Sequence, residues 1–523
     1  MKLMPPRAVV AALVLAVALV VALGGCAGAP VQPFQHPEPE HAAAPQADTA
    51  FAAIEKSIRD AHGADASGFH LLDRNEDGLR WRLALIDSAR HTIDVQYYIW
   101  FDDTAANLLT SHLLAAADRG VKIRMLLDDL NTLLGTAGSV KLRDLQLSVL
   151  NAHPNIELRL FNPWKDRSLA GRLGESAANM QRLNARMHNK ALIADNQATI
   201  IGGRNIGDEY MGLHADFNFR DLDVIGFGPV ARQTSAVFDL YWNSDWVLPV
   251  SALRLQPTAT DLHAAQAQLS AKLLALPPIE GCPVAPQSWS DELTQLAPTL
   301  LFGTSRVISD VPTAYELRQD MVGELYALAL SAQRELLVEN AYIIPDDKTL
   351  KAIQELRARG VTVKILTNSL ASHDVPAVNS HYKKWRKPLL EAGVELHEAR
   401  SDAAIQALVA DTPPTHGGFM GLHAKAMVVD RERAFIGSMN FDPRSANINT
   451  EMGVIIDSAD FSQALANLLE RDMAPENAWL VRLDARNELR WTDDRETVTR
   501  QPARNWWQRV QDVFFMAFPK DLY

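Results

Sequence analysis

The sequence predicts an α/β protein built from two similar lobes, with mixed sheets flanked by helices and a functional cleft where the lobes meet. Two observations lead to this prediction. A short motif occurs twice in the chain, and each residue of the second copy lies 235 positions after its counterpart. Each copy is also preceded by the same order of strand, helix and strand. A duplicated α/β unit predicts two lobes related by a pseudo-twofold axis.

Hydrophobic periodicity defines the elements of each half. Both halves contain an alternating strand, a helix that ends before a glycine and a second alternating strand, at residues 92–99, 105–119 and 121–127 in the first half and 335–344, 349–359 and 361–366 in the second. Crossover connections of this length are right-handed, so each half should form a mixed sheet covered by helices.

The repeated motif reads His-x-Lys-x4-Asp, followed by Gly and Asn. Its members are His188, Lys190, Asp195, Gly202 and Asn205 in the first copy and His423, Lys425, Asp430, Gly437 and Asn440 in the second. Residues two apart on a strand point to the same face, so each histidine should emerge beside its lysine. Asp195 and Asp430 lie at an odd offset from the histidines. We therefore expect both to have a structural role, facing away or closing a hairpin turn, and a direct part in catalysis is the alternative.

Two His-Lys pairs suit chemistry on a tetrahedral anion such as phosphate. The lysines supply positive charge, and the asparagines supply amide donors. One imidazole can attack phosphorus while the other protonates the leaving oxygen, which gives a covalent phosphohistidine and a two-step displacement. A lysine in the cluster opposes metal binding, so neither a metal nor a cofactor is expected. Buried structural histidines are the alternative, and the duplication of the whole set disfavours it.

These motifs resemble the two signature motifs of the phospholipase D superfamily. The second motif continues through residues 437–445, and this stretch is similar to the extended form found in bacterial cardiolipin synthases. Residues 96–100, 126–129 and 202–210 strengthen the comparison. Within the superfamily the chain resembles the cardiolipin synthase C type, over roughly residues 75–480. The resemblance implies two phospholipase D-like lobes with the active site at their interface.

Each catalytic histidine needs a carboxylate on its other ring nitrogen to fix the tautomer. Asp221 and Glu451 resemble the family's orienting acids, and we predict that Asp221 serves His188 and Glu451 serves His423. The alternatives for His188 are three acids of the same half: Asp208, Glu209 and Asp223. Relatives with two unlike halves generally use the N-terminal histidine, so His188 is predicted as the nucleophile and His423 as the acid/base.

Phosphate oxygens are predicted to be held by the two motif lysines and by donors that follow each motif: Asn205, Asn440 and Ser438. Gly203 stands in the first half where the second half has Ser438, so the two sides of the site are not equivalent.

The N-terminus predicts a bacterial lipoprotein. Residues 1–25 combine a charged start with an apolar run, and Leu23-Gly24-Gly25-Cys26 resembles a lipobox, so Cys26 would be the lipidated first residue of the mature chain. An uncleaved membrane anchor is the alternative, because the run is near spanning length. Residues 26–50 are rich in Pro, Ala, His and Gln and predict a flexible tether. Both interpretations anchor the protein in a membrane with its catalytic body facing the periplasm.

The rest of the chain divides into a first lobe at 51–254, a proline-containing linker at 255–300, a second lobe at 301–480 and a C-terminal tail at 481–523. In the tail, four apolar residues fall on one helical face beside Trp506: Trp507, Val510, Phe514 and Phe518. Such a face suits a membrane interface, and a helix docked on the body of the protein is the alternative.

Composition and charge indicate which classes of partner the protein binds. With 47% hydrophobic and 22% charged residues the chain is ordinary for a globular protein, and its formal net charge is −12. Proteins that bind nucleic acid usually carry a basic surface, so this charge disfavours a nuclease. The expected partners are phospholipid substrates and a membrane, without nucleic acid. The oligomeric state is undetermined, with a monomer as the expectation.

The resemblance implies a phosphatidyltransferase that makes cardiolipin from phosphatidylglycerol and a second phospholipid, with phosphatidylethanolamine as a candidate donor. A hydrolase of the same fold, which would release phosphatidic acid, is the alternative. The two differ only in which hydroxyl enters the cleft at the second step. A non-enzymatic scaffold would tolerate loss of the motif residues, and both motifs are intact.

Overall fold

A computed structural model describes residues 38–129, 147–165, 167–253, 258–314 and 316–517. The predicted signal, Cys26, the first part of the predicted tether and Phe518 lie outside the described residues. Among the residues described, no helix combines the length and the apolar composition needed to cross a bilayer.

The strands fall into two series. The first series is β1 (Ser67–Leu72), β2 (Thr92–Tyr97), β3 (Lys122–Asp128), β4 (Ile156–Phe161), β5 (Ala191–Ala194), β6 (Ala198–Gly202), β7 (Asn218–Arg220), β8 (Asp223–Phe227) and β9 (Val247–Pro249). The second series is β10 (Leu301–Ser309), β11 (Val311–Pro312), β12 (Leu317–Arg318), β13 (Glu335–Asn340), β14 (Thr362–Asn368), β15 (Glu395–Ala399), β16 (Met420–Leu422), β17 (Lys425–Val429), β18 (Arg433–Gly437), β19 (Met452–Asp457), β20 (Ala478–Leu483), β21 (Leu489–Thr492) and β22 (Thr497–Val498).

The α-helices are α1 (Ala50–His62), α2 (Asn75–Ser88), α3 (Thr104–Asp118), α4 (Leu169–Ala178), α5 (Met180–Asn184), α6 (Pro229–Trp242), α7 (Ala259–Leu274), α8 (Ser290–Leu296), α9 (Met321–Leu330), α10 (Asp347–Ala358), α11 (Pro376–Tyr382), α12 (Arg386–Glu391), α13 (Gln406–Val409), α14 (Pro443–Asn447), α15 (Ala459–Asp472) and α16 (Trp506–Phe514). The repeated strand-helix-strand units are thus β2-α3-β3 and β13-α10-β14, within a few residues of their predicted bounds.

Strand pairing reveals the pseudo-twofold. In the first half the strands follow the order β9-β4-β3-β2-β5-β6-β8-β1, and in the second half the order β20-β15-β14-β13-β17-β18-β19-β10. The two halves join because β1 pairs antiparallel with β10. In each half the crossover strands are parallel and the motif hairpin is antiparallel to them. The predicted α/β fold with two related lobes and mixed sheets is confirmed.

Side chains along each strand point alternately to the two faces of the sheet, so the hydrophobic core forms two layers. One face of each half-sheet packs beneath the outer helices, as Val338 and Met427 do in the second half. The opposite face packs into a core shared by both lobes, which contains Ile193 and Val428 together with residues of α6 and α15. Because β-strand side chains alternate between faces, one strand serves both layers. The shared core holds the lobes together at the cleft.

Two segments are more ordered than the composition indicates. The segment predicted as a linker contains α7 and α8, and its Cys282 and Trp289 are buried in the core of the first lobe. The described end of the predicted tether also binds this lobe, since the backbone N–H groups of Glu40 and Ala42 donate to Asn243 and Asp239.

Candidate active site

The two motif histidines lie where the lobes meet, and each is attached to the opposite lobe through its backbone. The N–H of His188 donates to the carbonyl of Thr450 at 2.8 Å, and the N–H of His423 donates to the carbonyl of Arg220 at 2.8 Å. His188 lies just before β5 and His423 just before β17, so both stand at the entrance of a hairpin strand. Thr450 and Arg220 immediately precede the two predicted orienting acids.

The orienting acids are exchanged between the lobes. Nδ1 of His188 lies 2.8 Å from Oε2 of Glu451, and Nδ1 of His423 lies 2.6 Å from Oδ2 of Asp221. The prediction that each acid serves the histidine of its own lobe is therefore wrong, although the two acids themselves were identified. The reason is the backbone contact between lobes, which places each acid beside the partner lobe's histidine. In both cases Nε2 remains available for chemistry.

Two of the alternative acids of the first half, Asp223 and Asp208, have other partners. Asp223 forms buried ion pairs with Arg82 and Arg204, at 2.9 and 3.2 Å. Oδ1 of Asp208 accepts from the backbone N–H of Ala105 at 2.8 Å. The ion pairs of Asp223, two residues after Asp221, fix the start of β8.

The residue that follows each motif glycine contacts one of the two orienting acids, and this contact differs between the lobes. A Cβ on Gly203 would lie 2.1 Å from Oδ1 of Asp221, so only glycine leaves room for that carboxylate. At the matching position Ser438 donates its hydroxyl to Oε2 of Glu451 at 2.5 Å. The prediction that Ser438 binds phosphate is not what the contacts favour, because its hydroxyl is used to position Glu451.

Aromatic rings enclose both imidazoles. Tyr98 packs edge-on against His188 with ring centroids 4.8 Å apart. Tyr210 and Phe219 contact His423 at 5.1 and 5.0 Å. The sequence analysis did not identify these residues as part of the site. Tyr98 could have been found as the residue that follows β2, where loops at strand ends carry functional side chains.

The electrostatics of the two histidines differ. Burial, together with the positive charges of Lys190 and Lys425, lowers the pKa of His188 well below its usual range. The pKa of His423 is also lowered by burial and by Lys425, but the charge of Asp221 opposes that shift. The surroundings therefore disfavour the imidazolium of His188 more strongly than that of His423.

The two orienting acids, Glu451 and Asp221, also differ in pKa. Burial raises the pKa of Glu451 to about 7. Burial would also raise the pKa of Asp221, but the charges of His423 and Lys425 outweigh it and hold that pKa below its usual range. Asp221 is therefore the acid that stays ionised and can stabilise a positive partner, which is His423.

The motif lysines are buried, and each donates to the carbonyl of the histidine two residues before it, from Lys190 to His188 at 2.7 Å and from Lys425 to His423. Burial lowers the pKa of Lys190 to about 7 and that of Lys425 to about 8. An anion between them would restore their charge, since opposite charges favour the ionised form.

The two motif asparagines, Asn205 and Asn440, are also buried. Oδ1 of Asn205 accepts from the N–H of Ile99 at 3.3 Å, and Oδ1 of Asn440 has no hydrogen-bond partner among the residues described. A buried amide oxygen without a partner costs free energy, so Oδ1 of Asn440 suits a hydroxyl of a ligand, and its Nδ2 is the atom that can donate to a phosphate oxygen.

The motif aspartates close the hairpins. Asp195 accepts from the backbone N–H groups of Arg90, His91 and Thr92, and Asp430 accepts from those of Gln333, Arg334 and Glu335. Both residues have positive φ, at 52° and 56°, as the turn requires. These contacts agree with the predicted structural role of Asp195 and Asp430. They do not favour the alternative, a direct part in catalysis.

We expect Asp195→Ala to lower the free energy of unfolding by about 3 kcal/mol, because three backbone N–H groups lose a charged acceptor. Asp430→Ala should have a similar effect, since the contacts repeat. Chemical denaturation of the purified variants measures both. Turnover per folded molecule should stay close to that of the wild type, and a large loss of turnover without a loss of stability would show that Asp195 is catalytic.

Comparison with known proteins identifies the family. The family described as "Cardiolipin synthase, PLD-like domain" matches residues 83–242 and 325–473, one match in each half. The chain belongs to this family. It is 36% identical over 459 residues to Cardiolipin synthase C of Escherichia coli strain K12, covering 85% of this chain and 93% of that protein.

Further relatives agree with the assignment. Cardiolipin synthase B of Shigella flexneri is 26% identical over 455 residues, which cover 87% of this chain and 88% of that protein. Among solved structures, the phosphatidylserine synthase of Haemophilus influenzae Rd KW20 matches with a TM-score of 0.53 and 14% identity, over 81% of this chain and 89% of that one. At this identity the likeness concerns the fold alone. The protein is an enzyme of the cardiolipin synthase-like phosphatidyltransferase family, as predicted.

Proposed function

We propose that the protein makes cardiolipin from phosphatidylglycerol and a second phospholipid through a phosphatidyl group covalently bound to His188. The observation that carries this proposal is the pair of buried imidazoles, each held at Nδ1 by a carboxylate from the opposite lobe. Two such groups on a single cleft allow one to attack while the other transfers a proton. The similarity to Cardiolipin synthase C favours transfer over hydrolysis, and phosphatidylethanolamine is the donor we propose.

The reaction has two steps. In the first, Nε2 of His188 attacks phosphorus, the bond from phosphorus to the headgroup oxygen breaks, and His423 gives its proton to the leaving alcohol. In the second, His423 takes a proton from a hydroxyl of phosphatidylglycerol, whose oxygen attacks phosphorus and displaces Nε2 of His188. The net result is exchange of one alcohol for another, and both histidines return to their starting states.

The electrostatics support this division of roles. A nucleophile must be neutral, and the pKa of His188 is lowered further than that of His423. An acid must be able to carry a proton, and His423 faces the ionised carboxylate of Asp221. During attack His188 becomes positive, and Glu451 beside its Nδ1 can then stabilise it. Lys190, Lys425, Asn205 and Asn440 are the groups we propose to hold the phosphate oxygens.

Lipid analysis tests the proposal. The full chain would be expressed in a bacterial host that lacks its own cardiolipin synthases, and the lipid extract would be analysed by mass spectrometry. We expect cardiolipin to appear. A rise in phosphatidic acid without cardiolipin would instead identify a hydrolase, and no change in either lipid, with the protein present in the membrane, would refute both.

We also propose that the protein is a membrane-anchored lipoprotein facing the periplasm, and that α16 contacts the bilayer. This helix docks with its polar side: Asn379 and Lys383 both donate to the buried carboxylate of Asp512 at 2.7 Å. Its apolar residues point outward, and Trp506 and Trp507 are 72% and 53% exposed. The helix is docked on the body of the protein, which was the alternative for this segment, but its aromatic residues face outward, and an outward aromatic face is typical of a membrane contact.

We expect Trp506→Ser combined with Trp507→Ser to weaken binding of the full chain to phosphatidylglycerol vesicles by at least about tenfold, because two partly exposed indoles lose their burial in the bilayer. Quenching of tryptophan fluorescence by brominated lipids measures the contact. Leu274→Ser is the control, because Leu274 is 88% exposed at the end of α7. Equal effects of the two changes would contradict a specific contact at α16.

A further inference from the structure

The second lobe contains an apolar groove that the catalytic groups do not occupy. It lies between α9 and α10 over the outer face of the sheet, and its volume is about 280 Å³. Its floor is formed by side chains of three strands, β13, β14 and β17: Leu336, Val338, Val363, Ile365 and Met427. Leu325 of α9 and Ile353 of α10 form its walls. The volume is close to the lower end of the range for ligand pockets, roughly 300–1,000 Å³.

The groove leads to the candidate active site along one strand. Lys425 and Met427 are two residues apart on β17 and therefore point to the same face of the sheet. Two residues of strand span about 7 Å, so the floor of the groove begins about that far from the motif lysine. Met439 and Phe441, on either side of Asn440, also line the groove. The groove thus starts at the residues proposed to hold phosphate.

The matching place in the first lobe leaves less space. Ile343, which lines the groove, pairs with Phe441 in an isolated parallel bridge, and Trp100 pairs with Ile206 in the matching bridge of the first lobe. The cavity at Trp100 is about 50 Å³, and Trp100 and Leu269 of α7 are among the residues that line it. The two lobes therefore differ in the space available at this position.

We propose that this groove binds an acyl chain of the phospholipid whose phosphate lies between His188 and His423. The proposal rests on the proposed function, because it needs a phospholipid at those residues. Two observations favour an acyl chain: the groove is lined mainly by apolar side chains, and it lies next to residues that flank the phosphate site. Burial of a chain in such a groove is favourable in proportion to the apolar area removed from water.

Two alanines of α10 provide a matched test. Ala352 lines the groove, and Ala358 of the same helix is exposed and does not. Ala352→Phe fills the groove, whereas Ala358→Phe adds the same side chain outside it. We expect Ala352→Phe to lower kcat/KM for the donor dipalmitoyl phosphatidylethanolamine by roughly tenfold, the equivalent of about two methylene groups left unburied. Activity on the dihexanoyl lipid should not change, and Ala358→Phe should affect neither substrate.

Equal losses on both lipids, or no loss on either, would overturn the proposal. A second measurement does not depend on turnover. Phosphatidylethanolamine with a diazirine on one acyl chain would be photo-crosslinked to the wild-type full chain, and the labelled peptides identified by mass spectrometry. Label on α10, β17 or the segment around Phe441 is the expected result, and label elsewhere would overturn the groove assignment. Label in the groove without lipid transfer would refute the proposed function and leave the groove assignment standing.

Discussion

Replacing His188 by alanine is expected to lower the rate of cardiolipin formation by at least about 10⁴-fold, because the covalent route loses its nucleophile. The variant would be compared with the wild type by lipid analysis in a host without cardiolipin synthases and by turnover of the purified full chain. Incubation of the wild type with the donor lipid alone should also leave a phosphatidyl adduct on the peptide that contains His188, and the variant should leave none.

A matched control exists elsewhere in the chain. His112 is also buried and also holds a carboxylate at Nδ1, with Asp87 at 2.7 Å, but it lies outside both motifs. His112→Ala should lower the free energy of unfolding and leave turnover per folded molecule nearly unchanged. An adduct on His423 in place of His188 would reverse the assigned roles, and activity of His188→Ala close to that of the wild type would remove the covalent mechanism.

Because each orienting acid contacts the histidine of the opposite lobe, replacing the two acids should slow different steps of the reaction. Asp221→Asn should act on His423 and therefore on proton transfer to the leaving group. We expect it to slow transfer from a natural phospholipid by roughly 10²–10⁴-fold. A substrate with a p-nitrophenyl leaving group needs no protonation, so the first release of p-nitrophenol should be slowed much less. Glu451→Gln should act on His188 and slow the release of the leaving group from both substrates.

The same pair of variants can be checked without turnover. Asp221 opposes the lowering of the pKa of His423, so Asp221→Asn should lower that pKa further while that of His188 changes little. Titration of histidine signals by NMR measures both groups. Two results together would show that the acids serve the histidines of their own lobes. Asp221→Asn would change the pKa of His188 and not that of His423, and Glu451→Gln would leave the release of p-nitrophenol unchanged.

Much of the fold was predictable because its signals are local. The alternation of β2 and β13, the helical spacing of α3 and α10, and the glycines that follow those helices depend on neighbouring residues alone. The odd offset of Asp195 and Asp430 predicted a structural role for both, facing away or closing a hairpin turn, and their backbone contacts agree with closing the turn. The duplicated His-Lys motif likewise located the site, because both copies start a hairpin strand.

The sequence by itself thus determined the two-lobed fold, the superfamily and the two histidine-lysine pairs. The tertiary structure decided which acid faces which histidine, since that depends on the contacts of His188 with Thr450 and of His423 with Arg220, residues of opposite lobes. It also decided that Ser438 positions Glu451 and that α16 buries Asp512 and exposes Trp506. Each of these outcomes depends on what a residue meets across the fold, and periodicity along the chain carries no information about such distant partners.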